Sequence, residues 1–316
     1  MRETLSRKGL LHLLVLYTVW STTYLAMRVG VEPGSGFPPF ALGALRMAAA
    51  ALILLAVAKL QGLRIKLSVR ETTSLAIAGN LLWCGGNGLV LWAEQYASSG
   101  FACLMVSSTP VWATIVELLL YRKRPSVALV LSLLVGFAGV AILSIPSLDR
   151  SSPADSKAVI ALVFSPLCWV LGSVFQARRH VELSPQVMSG YHHLLAVAGF
   201  LVLSCVSGEA LPHPSASAWI AWGYLVVFAS VGAFTSYVFA LRLLPINIVM
   251  TYAYVNPALA LFLGWLLLNE PLAGRTLCGA GLVVLSVFAI FHFRQSPGAQ
   301  TPRITSEAES IPVDSV

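Results

Sequence analysis

Thr109-Pro110-Val111-Trp112-Ala113-Thr114 and Asn256-Pro257-Ala258-Leu259-Ala260 stand 147 residues apart, each inside a long apolar run. Sliding the chain by the same 147 residues lays Pro38 on Pro185, Ala93 on Ala240 and Leu119-Leu120 on Leu266-Leu267. Trp20 meets Trp169 if one loop differs by two residues. Working outward, each half holds five apolar runs: 9–28, 39–58, 73–93, 98–121 and 126–145, then 158–177, 186–206, 218–240, 246–268 and 273–292. Each approaches the ~20 residues that cross a bilayer. In lipid such runs must be helices, because unpaired backbone groups there are too costly. The sequence therefore predicts an all-α polytopic membrane protein of ten transmembrane helices. Five is odd, so the second half enters the membrane in the opposite orientation. Two inverted five-helix repeats place a transporter's substrate site at the midplane between them. The expected organisation is a first repeat over 1–147, an external loop over 148–157, a second repeat over 158–293 and a disordered cytoplasmic tail over 294–316.

Composition agrees. Of 316 residues, 57% are apolar and 10% charged, against about 25% charged in a soluble domain. Arg2, Arg7 and Lys8 precede the first run, as in a signal peptide, but the run is long and no small-x-small cleavage site follows it. It reads as a retained span and as the counterpart of run six. The net charge of +7 does not point to nucleic acid, because of where it falls. With the N-terminus inside, 15 of the 20 Lys and Arg lie in cytoplasmic segments and four (Arg28, Arg150, Lys157, Arg275) outside, with Arg46 inside a span. That split is a positive-inside signal, so both termini are expected in the cytoplasm of a plasma membrane, bacterial and inner. The basic loops are also suited to anionic lipid headgroups. The five cysteines sit singly inside apolar runs, without a CxxC or a pairing pattern, and no cofactor or metal is expected.

No HExxH, GxSxG or P-loop occurs, so an enzyme is not expected and transport would run on gradients or exchange. The expected partners are a small-molecule substrate and membrane lipids, with the chain a monomer or weak dimer. Two other readings stay open. One is a lipid or lipid-linked carrier flippase, for which Arg46 is the one buried cation. The other is a non-transporting membrane receptor or regulator.

Depth along the runs places a site. Trp20 lies eleven residues into run one, roughly 16 Å deep at ~1.5 Å per residue. Trp169 lies eleven residues into run six from the opposite side, and Pro110 and Pro257 twelve and eleven residues into theirs. A mid-helix proline frees the carbonyl one turn earlier for a ligand or a Ser/Thr partner. Around these depths stand Tyr24, Asn87, Thr109, Trp112, Tyr237, Tyr252 and Asn256, with Thr22, Thr23, Ser107, Ser108 and Tyr254 nearby. Aromatic rings with a few placed polar groups suit a small-molecule pocket. Asn256 matches Thr109 in the repeat, and each precedes a proline.

Charge inside the spans is scarce. Arg46 is expected to face the bundle interior, tied to carbonyls or to Glu94, or in contact with an anion. The repeat sets His193 against it, beside His192. Glu117 lies one turn from the Arg122-Lys123-Arg124 cluster and is expected to pair there. No run carries a midplane carboxylate, so facilitated export or exchange is favoured over proton antiport, with Glu117, His192 and His193 as the buried titratable candidates.

These residues carry a family likeness. Val19-Trp20-Ser21-Thr22-Thr23-Tyr24-Leu25-Ala26-Met27-Arg28 resembles the Trp-Gly-Ser-Thr-Phe opening of the drug/metabolite transporter superfamily, in its ten-helix EamA-type branch. Ala44-Leu45-Arg46-Met47-Ala48-Ala49 resembles its Arg-bearing second helix. Thr109–Thr114 followed by Arg122-Lys123-Arg124-Pro125-Ser126, and Asn256–Ala260 followed by Leu268-Asn269-Glu270-Pro271, resemble its twin Pro…Gly-Glu-Arg-Pro segments. Lys123 stands where the first half usually has Glu. The likeness covers about residues 10–293. It implies ten helices, cytoplasmic termini, a central cavity between repeats and export of amino acids, metabolites or drugs.

Overall fold

A computed structural model of the chain describes residues 5–32, 34–97, 99–122, 124–149, 156–179, 181–259 and 274–293. Every regular element among them is helical. The chain runs through α1 (Arg7–Trp20), α2 (Thr23–Val31), α3 (Pro39–Leu60), α4 (Val69–Gly79), a π-helical stretch Asn80–Gly88, α5 (Leu89–Ala93), α6 (Ser99–Val106), α7 (Thr109–Tyr121) and α8 (Val127–Asp149). The second half continues with α9 (Ser156–Arg178), α10 (Pro185–Val206), α11 (Ala216–Tyr224), a second π-helical stretch Leu225–Phe234, α12 (Thr235–Leu243), α13 (Ile246–Val249), α14 (252–259) and α15 (Gly274–Phe293).

Seven of the resulting rods are long and apolar enough to cross a membrane: Arg7–Val31, Pro39–Leu60, Val69–Ala93, Ala102–Leu120, Ser156–Arg178, Pro185–Val206 and Ala216–Leu243. Two shorter apolar helices, Val127–Leu143 and Leu277–Phe293, fall on the fifth and tenth expected runs. The protein is a multi-pass membrane protein. The ninth expected run, 246–268, is described only as α13 and α14; its remainder, with Glu270, lies outside the described residues, as do Lys123, Arg150 and the tail from 294. Helix α8 extends through Asp149 and α9 begins at Ser156, so the backbone is helical further into the 148–157 loop than the sequence predicts. Large apolar side chains such as Leu52, Phe164, Ile220 and Phe288 stay more than half exposed and form the face that lipid covers.

The helix starts follow local chemistry. α3 opens with Pro39 at its first turn, where the missing N–H is one that no helix can use. α4 opens with a reciprocal cap between Ser68 and Glu71, and α10 with Ser184 accepting from Val187 N, followed by Pro185. Glu209, in the loop after α10, places its two carboxylate oxygens 2.8 Å from the Phe40 and Ala41 N–H groups. That seats a negative charge on the positive end of α3 and ties the two halves together.

Packing between the halves is reciprocal. α3 lies along α10 and α8 along α15, and these pairs are repeat mates. α1 packs on α12 and the second π stretch, while its mate α9 packs on α5 and the first π stretch. These contacts between the halves thus have their mates under exchange of the halves. Small residues permit the closest approaches. A Cβ on Gly139 would stand 2.9 Å from the Gly279 carbonyl, and one on Gly279 would stand 2.9 Å from the Gly139 carbonyl, the small-residue contact by which membrane helices pack without a hydrophobic drive.

Three of the runs are interrupted, always at Ser or Thr. The α1–α2 break falls at Ser21–Thr22, where the hydroxyls of Ser21, Thr22 and Thr23 return to the carbonyls of Thr18, Val19 and Trp20 at 2.8 Å. The α6–α7 break falls at Ser107–Ser108, and the α13–α14 break at Met250–Thr251. Pro110 sits just inside the start of α7 and Pro257 within α14, so the discontinuities precede the prolines by several residues. The carbonyls that these prolines release are nonetheless taken by hydroxyls. Thr109 Oγ1 donates to Val106 O at 2.5 Å, and Ser107 Oγ to Ala253 O at 2.9 Å.

Candidate substrate cavity

Residues flanking the breaks, with the first π stretch, line a cavity of about 60 Å³ between the halves. A water molecule needs roughly 10–15 Å³ and a drug-sized ligand roughly 300–1,000 Å³, so this state is constricted. Trp20, Tyr24, Asn87, Thr109, Trp169, Tyr252 and Asn256 line it, all expected from the sequence, and Arg46 joins them. Trp20 and Trp169 meet edge to face at 5.6 Å, and Tyr252 closes on Trp20 at 4.8 Å. Gly86, in the first π stretch, lets the Trp169 ring in: a Cβ there would stand 2.7 Å from Trp169 Cε3. A π turn leaves backbone groups out of the regular ladder. The Trp20 indole reaches the Ala229 carbonyl of the second stretch at 3.4 Å, and Ser165 Oγ donates to the Gly86 carbonyl of the first at 2.7 Å. In the wall, Trp83 Nε1 and Asn256 Oδ1 are buried without a hydrogen-bond partner among the described residues.

Other expected residues stand behind the wall or apart from it. Tyr237 is fully buried; its ring packs on Trp20 and Trp169 and its hydroxyl bonds Ser173. Pro110 and Pro257 set up their neighbours Thr109 and Asn256 and are not in the wall, and Trp112 is half-buried outside it. Glu117 is half-buried toward the far end of α7. His192 and His193 are fully buried on α10. His193 Nδ1 meets Ser189 O at 2.6 Å and its ring packs on Trp83 at 4.6 Å and Phe234 at 5.0 Å.

Arg46 is 2% exposed and, among the described residues, bonds neither Glu94 nor a backbone carbonyl. Its Nε donates to Ser230 Oγ at 2.9 Å, one terminal nitrogen to Asn87 Oδ1 at 3.2 Å, and the guanidinium lies 5.0 Å from the centre of the Trp83 ring. Sequence reasoning missed Trp83, Ser165 and Pro166 in the wall. Trp83 carried a signal, since it adjoins the Cys84-Gly85-Gly86-Asn87-Gly88 breaker. Glu94 was also missed as a buried acid. It is fully buried just beyond α5, and both carboxylate oxygens lack a partner, while Arg28 bonds the Glu94 and Ala97 backbone carbonyls.

The profile of the EamA-like transporter family matches residues 7–145 and again residues 156–292. The chain belongs to that family. This EamA-like chain is 31% identical over 281 residues to an uncharacterized inner membrane transporter, YedA, of Escherichia coli (strain K12), covering 88% of this chain and 89% of YedA. It is 22% identical to an uncharacterized transporter, YoaV, of Bacillus subtilis (strain 168), covering 89% and 96%. A solved crystal structure superposes with a TM-score of 0.73 at 19% identity, over 90% of this chain and 97% of the other, and that likeness concerns the fold.

Proposed function

We propose that the protein is a secondary transporter that exports small metabolites, amino acids or drugs by alternating access through the cavity between its halves. The observation that carries this reading is the meeting of Trp20 and Trp169, repeat mates from opposite halves, in one cavity wall at 5.6 Å. A wall to which both halves contribute is remade when they rock against each other. Constriction of the cavity fits one state of such a cycle. The reciprocal packing of α3 on α10 and of α8 on α15 supports ten spans in two inverted repeats. The likeness to YedA, named an inner membrane transporter, supports a bacterial inner membrane, and the charge split supports cytoplasmic termini.

The test is uptake of a panel of labelled amino acids and cationic dyes into proteoliposomes. At least one compound is expected to be carried by the wild-type chain and lost in both Trp20→Ala and Trp169→Ala at equal reconstitution. Equal transport by all three proteins would contradict the reading.

A further inference from the structure

We infer that Arg46 is the docking group for a single carboxylate on the substrate. The inference rests on the cavity being the transport site and names the class of molecule it takes. A guanidinium carries five N–H donors in a planar fork. Two protein acceptors, Ser230 Oγ and Asn87 Oδ1, are bonded to it, and Trp83 lies against its face. Among the described residues no carboxylate stands within ion-pair distance of it. A buried cation left with neutral partners only is expensive, and a buried charge is retained where something compensates it. Arg46 lines the cavity, so the compensating anion arrives there.

The repeat shows that this arrangement is particular to one half. Arg46 and His193 are 147 residues apart, as are Trp83 and Ser230, and Asn87 and Phe234. Arg46 is held by Ser230, Asn87 and Trp83, while His193 is held by Trp83 and Phe234. The same structural positions thus make a polar cage around a cation in one half and an aromatic cage around an imidazole in the other. Only the cation's cage opens on the cavity; His193 and Phe234 are not in its wall. Arg46 is the one cation in the cavity lining among the described residues, and one positive charge suits one negative charge, hence a monocarboxylate and not a phosphate dianion. A guanidinium and a carboxylate also match as forks. The same lining holds the rings of Trp20, Trp169 and Tyr252, which take an apolar remainder. Asn256 Oδ1 and Trp83 Nε1, both without hydrogen-bond partners among the described residues, are polar groups left for orientation.

The test is equilibrium binding to the full chain in lipid nanodiscs. The ligands are acetate, butyrate, phenylacetate and phenylpropionate, each beside its own carboxamide, with phenylmethylphosphonate as the dianion. In the wild-type chain at least one acid is expected to bind tenfold or more tightly than its amide, and more tightly than the phosphonate. That comparison needs no variant, so it stands even if a substitution fails to fold. Arg46→Gln is expected to weaken the acid tenfold or more and the amide much less, narrowing the acid-to-amide ratio, with Arg46→Lys between. Acid and amide binding equally well, or no acid binding at all, would overturn the inference, as would undiminished acid binding in a folded Arg46→Gln. If the amides bind and Trp169→Ala weakens them, while acids gain nothing from Arg46, the cavity reading stands and the carboxylate inference alone fails.

Discussion

Trp169 contributes its ring to the cavity from one half and meets Trp20 from the other at 5.6 Å. Truncating it removes stacking area, so Trp169→Ala is expected to weaken substrate binding by about 1–3 kcal/mol, read as a rise in the half-saturating concentration for transport. An unchanged value in a normally expressed variant would remove the ring from the site. Gly86→Ala pushes on the same ring without deleting it, since its Cβ would stand 2.7 Å from Trp169. It is expected to weaken the same substrate while the protein still inserts. Ser107 acts differently. Its hydroxyl meets both the Cys103 and the Ala253 carbonyls, at 2.7 and 2.9 Å, and the second of these has lost its helical donor to Pro257. Ser107→Ala is expected to destabilise by about 1–3 kcal/mol, as for a buried acceptor left bare, seen as a lower melting temperature in nanodiscs. An unshifted midpoint would mean that another donor serves Ala253. Depth alone made Trp20, Trp169, Thr109 and Asn256 legible in the sequence, because rise per residue converts position into depth. It left Tyr237 and Trp112 indistinguishable from them, since depth says nothing of which way a ring points.

At the scale of elements, the apolar runs were legible because lipid leaves a long apolar segment no alternative to helix. The interruptions were not. Pro110 and Pro257 drew attention as breakers, yet the breaks fall earlier, at Ser107–Ser108 and Met250–Thr251, where hydroxyls compete for backbone carbonyls. The π stretches at Asn80–Gly88 and Leu225–Phe234 carry no single residue that announces them; only the first has the glycines that drew notice. Glu94 escaped because it ends an apolar run, where an acid ordinarily faces water. The tie between halves at Glu209 also depends on tertiary placement. Glu209→Gln keeps the shape and removes the charge from the start of α3, and a loss of about 0.3–2 kcal/mol is expected, measured as a lower unfolding midpoint. Equal midpoints would show that the two amide bonds act without the charge.

At the scale of the whole molecule, the distribution of basic residues sets the orientation. Single cysteines placed on a background lacking Cys84, Cys103, Cys168, Cys205 and Cys278 report it: an impermeant reagent is expected to reach position 150 and not 303 in intact cells, and the reverse pattern would invert the topology. The halves can be told apart in sequence by their 147-residue spacing, but their reciprocal packing, and the divergence of the Arg46 and His193 cages, became visible only in three dimensions. The central claim is that one cavity is reached in turn from the two sides of the membrane. Asn256 lines that cavity, is 2% exposed and lies between the halves. The most direct measurement is labelling of Asn256→Cys on the cysteine-free background by a small impermeant thiol reagent, in right-side-out and in inside-out vesicles. Alternating access predicts slow labelling in both, with a transported substrate slowing it from either side. Labelling from one side only, whatever the substrate, would contradict it.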